Sequence, residues 1–397
     1  MTSLSRSVLS PSRNSAVAAF ELSPDFIHLN HGSYGAVPRE VRLEQERLRA
    51  AIERNPTGYF QDEFPDAMRS MAAHVARRLG GRSEDWVFCE NATAAISAVL
   101  HSLPLESGDE ILTTSHAYGA VLKAMSLVAE RRGAKMQIAT LPPLLEHDDQ
   151  VVEAMRSALG SRTRLLVVDH ITSATATILP VKRIAELARD SGVPVLIDGA
   201  HAPGQIALNV PQIGADWYTG NAHKWMFAPR GCGLLWTTPA RHGQTRPAVL
   251  SHGTDLGYAA AFDWVGTRDP TPWLCFEAAA CAHDGLGGPD LMARNRDVAA
   301  DGARMIASAL DVQVAGTPDT RAAMAAFILS EHGGDAEHAM RFRHALAHEH
   351  RIMAPAYAFA DRLWLRISAQ IYNEPADYER LVPACQVLLA ARAPALA

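Results

Sequence analysis

Cysteine is scarce and carries no pairing pattern: Cys89, Cys232, Cys275, Cys281 and Cys385 are scattered over 397 residues without a CxxC pair. That spacing argues against a disulfide framework or a zinc knuckle and fits a reducing, cytoplasmic setting. No apolar run approaches the roughly 18 residues that a membrane helix needs, so no membrane partner is expected. A basic excess is missing too, since 37 Lys and Arg stand against 43 Asp and Glu for a net charge of -6. Nucleic acid is therefore disfavoured as a partner. Internal repeats, low-complexity tracts and long charge blocks are absent. The first 20 residues hold six serines, Arg6, Arg13 and no acid. They read as a flexible tail with no apolar core of a secretory signal.

What is present is a composition of 48% hydrophobic and 20% charged residues, that of a globular chain with core enough for two or three domains. Its middle alternates short β-rich runs with longer helical patterns, which predicts a parallel sheet covered on both faces. Strands are expected at 86–90, 111–114, 164–169, 195–198, 216–219 and 233–236, in a sheet of about seven. Between them, helices are expected from Asn91 to Leu100, at 118–131 and at 181–190. The apolar run Leu165-Leu166-Val167-Val168 is typical of a strand buried on both faces. A helix over 38–54 is stopped by Asn55-Pro56. Beyond residue 275 Ala-rich helices dominate, with a strand at 362–367. The expected division is an N-terminal segment 1–37, a large domain 38–274 and a smaller α+β domain 275–397.

Ligands of open α/β sheets sit beyond the carboxyl ends of the strands. There the sequence places Asp198-Gly199-Ala200-His201 and, after the next strand, Asn221-Ala222-His223-Lys224-Trp225. A lysine among His223, Trp225 and Met226 is a Schiff-base candidate, because apolar neighbours depress its pKa. Asp198, on a buried strand end, needs a cationic partner. The protonated ring nitrogen of pyridoxal phosphate is one such partner. In the run Glu90 to Ala95, the backbone N–H groups and the Thr93 hydroxyl make a phosphate cradle. Taken singly, each has a plainer account: a surface lysine, a turn-capping Asp, and an Asn91 or Thr93 helix cap that also explains the Asn91-Ala92-Thr93 sequon.

Together these residues resemble a known family. Ser115 to Val121, Asp198 to His201 and Asn221 to Lys224 are similar to the class V aminotransferases, which are fold type I pyridoxal-phosphate enzymes. Leu29-Asn30-His31-Gly32-Ser33-Tyr34-Gly35-Ala36-Val37-Pro38, Gly266 to Asp269 and Leu365 to Ser368 resemble the isopenicillin N epimerase and hercynylcysteine sulfoxide lyase branch. The resemblance implies an α/β fold type I architecture, with a mainly parallel seven-stranded sheet and a smaller α+β C-terminal domain. It implies pyridoxal 5′-phosphate on Lys224, paired with Asp198. It puts Tyr118 on the ring face, with His116 as the rival, and His201 and Ser173 near the ring hydroxyl. By the same resemblance Thr93, Ala94, Asn221 and His223 are expected to hold the phosphate, with Thr267 contributed by the second subunit of a homodimer with shared active sites. Arg366 is expected to clamp the carboxylate of a small amino-acid substrate, and Asn30 and His31 to close over it.

Several reactions are open to such a site. Epimerisation at Cα needs a second acid or base besides Lys224. Carbon–sulfur lysis by sulfoxide or β-elimination needs a leaving group on Cβ, and transamination needs a second half-reaction. Desulfuration by persulfide transfer is disfavoured. Cys275 and Cys281 fall in a helical, Ala-rich stretch, and no cysteine lies between 282 and 384, where the resemblance would put a mobile thiolate. A metal triad of His170, His201 and His223 would leave Lys224 unexplained, and no metal is expected. A non-catalytic relative ranks last, since Asp198, Lys224 and Arg366 are all present.

Overall fold

In a computed structural model of the chain, residues 13–390 are described. Residues 1–12 of the expected tail, Arg6 included, lie outside them. The rest of that tail is not loose: Arg13–Ala19 is a helix, and Phe20 just beyond it packs edge-on against Phe227 and Tyr372.

In chain order the strands are β1 (Ile27–His28), β2 (Trp86–Cys89), β3 (Glu110–Thr114), β4 (Lys135–Ala139), β5 (Thr163–Asp169), β6 (Val195–Gly199), β7 (Trp217–Asn221), β8 (Gly233–Thr237), β9 (Met324–Ser330), β10 (Ile352–Met353), β11 (Ala356–Phe359) and β12 (Arg362–Ser368). Seven of them form one sheet in the order β2-β8-β7-β6-β5-β3-β4. β8 runs against both of its neighbours, and every other pair is parallel. Side chains alternate across a strand, so each face buries its own cluster. Leu166, Val168, Ile197 and Leu234 lie in one, and Leu165, Val167, Leu196 and Leu235 in the other. This is the mainly parallel α/β sheet expected from the sequence. The strand missed by that reading is β4, an edge strand whose Lys135 and Ile138 are exposed, so that no apolar run marks it.

The second unit is the antiparallel sheet β11-β12-β9. The helices Pro289–Leu310, Ala336–His348 and Pro375–Ala390 share a core with it through Ala303, Phe342 and Leu381. β1 pairs in parallel with β10, which joins the N-terminal segment to this unit. Helix Phe276–Gly285, beyond residue 275, instead buries Phe276 and Ala279 in the core of the large sheet. β11 and β12 are joined by Ala360 and Asp361, both at positive φ (50° and 58°), the two-residue turn that suits a twisted hairpin.

Candidate active site

Asp198 ends β6 and is 4% exposed, with its carboxylate accepting the Ala200 N–H at 3.0 Å. Directly opposite in the register of β5 stands Asp169, also buried. Burial pushes both carboxyls up, and Asp169 furthest, because Asp198 adds like-charge repulsion. Two neighbouring acids at buried strand ends call for positive charge.

Lys224 supplies part of it from the short helix Ala222–Trp225 that follows β7. Burial and the Arg366 guanidinium bring its amine down to about 7, while Asp198 and Asp169 pull the other way. Its Nζ lies 3.1 Å from His201 Nε2. His201 is held well below the ordinary histidine range, by burial first and then by Lys224. It is therefore neutral, and its Nε2 shares a hydrogen bond with the Lys224 amine.

The N-terminal segment braces this lysine from behind. His31 Nε2 lies 3.0 Å from the Lys224 carbonyl oxygen and Nδ1 lies 2.9 Å from the Tyr372 hydroxyl. With both nitrogens engaged and the ring 2% exposed, burial lowers its pKa to about 3. Gly35 makes the approach feasible: at φ +66° it lies so close to the lysine helix that a Cβ there would overlap the His223 carbonyl oxygen.

Arg366 reaches in from β12 and is 2% exposed. It donates to the Ser173 carbonyl oxygen at 2.6 Å and to Ser33 Oγ at 3.1 Å, and its Nε finds no partner. Ser33 in turn donates to Asn30 Oδ1 at 2.6 Å. Asn30 thus positions the arginine through Ser33, and Ser173 contributes its backbone. A buried guanidinium bound only to neutral oxygens has charge to spare for an anion.

At the far end, Asn221 Oδ1 accepts the Ala92 N–H at 2.8 Å, tying β7 to the start of helix Ala92–Ser102. Asn91 caps that helix by accepting the Ala94 N–H at 2.9 Å. The Ala94 donor is therefore engaged by the cap, and Thr93 between them is half-buried. His223 leaves Nδ1 buried without a partner, and burial lowers its pKa to about 4. Tyr118 is 47% exposed, ahead of helix Gly119–Arg132, and its backbone N–H favours the ionised form of Asp169. His116 turns away to Thr175 and the Pro142 carbonyl. Thr267 is exposed, beside Arg268, which pairs with Glu90 at 2.5 Å. His170 faces the Tyr218 hydroxyl at 2.8 Å, so the three histidines do not share one centre.

The donor set fits pyridoxal phosphate. A buried acid stands ready for a ring cation and a lysine is half-neutral near pH 7. His201 Nδ1 and His223 Nδ1 are orphaned donors or acceptors around them. Sequence reasoning missed Asp169, which only the β5–β6 register reveals, and Ser33, although Ser33 lies inside the 29–38 segment that carries the family likeness.

The sequence model of the aminotransferase class-V family matches residues 36–381. The chain is 32% identical to the isopenicillin N epimerase of Amycolatopsis lactamdurans, covering 92% of this chain and 96% of that protein. It is 28% identical to a probable chloroplastic L-cysteine desulfhydrase of Arabidopsis thaliana, covering 90% and 82%. Among solved structures, a cystine C-S lyase in complex with cysteine persulfide superposes with a TM-score of 0.79 at 20% identity, over 92% of this chain and 98% of that one. That likeness establishes the fold.

Proposed function

The chain belongs to the aminotransferase class-V family, and on that premise we propose that it is a pyridoxal 5′-phosphate enzyme that epimerises an amino acid or amino-acid conjugate at Cα. The observation that carries the reading is the buried Lys224 amine, 3.1 Å from His201, in one site with the paired Asp198–Asp169 acids and a buried, anion-seeking Arg366. The choice of epimerisation leans on the 32% identity to isopenicillin N epimerase over nearly the whole chain. Carbon–sulfur lysis is the second reading, favoured by the desulfhydrase relative. The thiols give persulfide transfer no support, since Cys275 is buried and Cys281 sits on the helix Phe276–Gly285.

When bound, pyridoxal phosphate supplies an electron sink for charge developing at Cα. The protein's own groups do the rest. Asp198 would pair with the ring nitrogen in its protonated form. Thr93, Asn221 and His223 would hold the phosphate, with Ala94 joining them if Asn91 yields its N–H, and Tyr118 would cover the ring face. His201, neutral, keeps the Lys224 amine oriented through their shared hydrogen bond. Lys224, buried and close to neutral, would carry the cofactor and take the proton from Cα on one face, and inversion requires a proton returned on the other face by a second acid or a water. Arg366, pre-set by Ser33 and the Ser173 carbonyl, takes the substrate carboxylate and fixes which bond at Cα faces the lysine. His31 acts by holding the Lys224 backbone and not by touching substrate. We further propose a cytoplasmic homodimer in which Thr267 completes the partner's phosphate site. Among the described residues no helix is long and apolar enough to cross a membrane.

The test is spectroscopic and isotopic. Purified protein should be yellow, with borohydride fixing the chromophore on Lys224. A colourless protein that takes up no pyridoxal phosphate overturns the reading. In deuterated water, Cα exchange with inversion and no pyruvate supports epimerisation. Stoichiometric pyruvate and ammonia without inversion replaces it with lysis.

A further inference from the structure

Tyr357 is a partly buried side chain beside this site that the mechanism leaves unused. Its hydroxyl is shielded from solvent and has no hydrogen-bond partner. Burial pushes the phenol up to about 12, so it remains a donor at neutral pH. Polar groups left this way lower stability and are rare in folded proteins unless a ligand or water uses them.

Its surroundings point to a ligand. The guanidinium of Arg366 lies over the Tyr357 ring, 5.6 Å from its centroid, a favourable cation–π placement. Arg366 Nε is the second orphaned donor at this spot. Tyr357 and Phe359 stand two apart on β11 and so share a face, and that face meets the large unit. Phe359 packs edge-on against His116 at 5.0 Å, and both β11 rings pack on the large sheet's core. The hairpin register, Tyr357 against Trp364, is fixed by the two-residue turn at Ala360-Asp361. Two unpaired donors of different side chains thus lie side by side on the paired strands β11 and β12, next to the Arg366 contact with the Ser173 carbonyl.

We propose that Tyr357 is a substrate-binding residue, its O–H joining the Arg366 guanidinium in seating a carboxylate of the amino-acid substrate. This rests on the reading that Arg366 faces substrate. It assigns one neutral and one charged donor to the anion. A phenol on a paired strand also limits how far the carboxylate can slide along the guanidinium. The hydroxyl then trades stability of the unliganded protein for affinity.

The test is Tyr357→Phe, which deletes one oxygen and keeps the ring over Arg366. The probe is 2-methylalanine, an amino acid with no Cα hydrogen to remove, titrated against cofactor-loaded protein. Its dissociation constant should rise at least about tenfold, as for loss of a hydrogen bond to a charged group. The visible band of the cofactor should be unchanged. The thermal midpoint of the cofactor-free variant should hold or rise by roughly 1–3 °C, because an unsatisfied hydroxyl has gone. Wild-type affinity in Tyr357→Phe overturns the proposal, and so does a midpoint several degrees lower, which would mean that the hydroxyl has a structural partner. If the wild-type protein takes up neither pyridoxal phosphate nor 2-methylalanine, the functional reading beneath it falls as well.

Discussion

Lys224 Nζ and His201 Nε2 stand 3.1 Å apart, a hydrogen bond in which burial keeps the imidazole neutral. Because burial and Arg366 bring the amine down to about 7, the attacking free base is plentiful at neutral pH. The rate at which cofactor-free protein captures pyridoxal phosphate should climb about tenfold per pH unit below 7. Above 7 it should level off. Stopped-flow absorbance across pH 5 to 9 reads this directly. A rate still climbing at pH 9 would show an ordinary lysine and contradict the burial argument.

Arg366→Lys should bind cofactor as wild type yet lose substrate. Lysine keeps the charge but cannot span both the Ser173 carbonyl and Ser33 Oγ while presenting a further N–H. A loss of about 2–3 kcal/mol is expected, or roughly 30- to 150-fold in kcat/KM, with most of it in KM. A change confined to kcat would indicate that the arginine acts on the chemistry instead.

Gly35→Ala should be far more damaging than a one-methyl change on a surface turn. The new Cβ overlaps the His223 carbonyl oxygen, and the positive φ adds strain. The Lys224 helix must then shift. Cofactor capture should slow by two orders of magnitude or more, while the circular dichroism of the folded chain is kept. Full capture in Gly35→Ala would mean that the N-terminal segment does not brace the lysine.

Stability should fall in mild acid before most carboxylates titrate. His31 is lowered to about 3 and His116 and His170 to about 4, each chiefly by burial. Their folded values lie below the ordinary 6.5, so between these limits the unfolded chain binds more protons. Folding free energy is then lost as pH drops from about 6.5 towards 4. Urea midpoints of the cofactor-free protein at pH 7, 6 and 5 should fall stepwise, whereas a flat profile would place these rings in contact with water.

Much of this was legible in the sequence, and the rest was not for identifiable reasons. β5 announces itself because Leu165 to Val168 are buried on both faces. β4 stays silent because an edge strand can afford Lys135 and Gln137. Lys224 and Asp198 were found because they close strands, and strand ends are where open sheets bind. The direction of a ring is not written in a sequence. The family likeness put His31 at the site, yet only the fold shows it set under the Lys224 backbone. Asp169 and Ser33 gain meaning from residues far along the chain, through a strand register and an arginine fork, and Tyr357 from the hairpin that sets it beside Arg366.

The pairing of β1 with β10 sets an order of events during synthesis. Asn30, His31 and Ser33 emerge from the ribosome long before the strand beside them, Ile352–Met353, and the arginine they orient. At the usual pace of translation tens of seconds separate the two. Through that interval the large sheet can fold and collect its lysine and acids, and the leading segment can dock on the lysine helix through His31 but not yet on β10 or the arginine. Cofactor capture can thus precede completion of the substrate seat, and a chain stopped short of β10 would be coloured but unable to hold an amino acid.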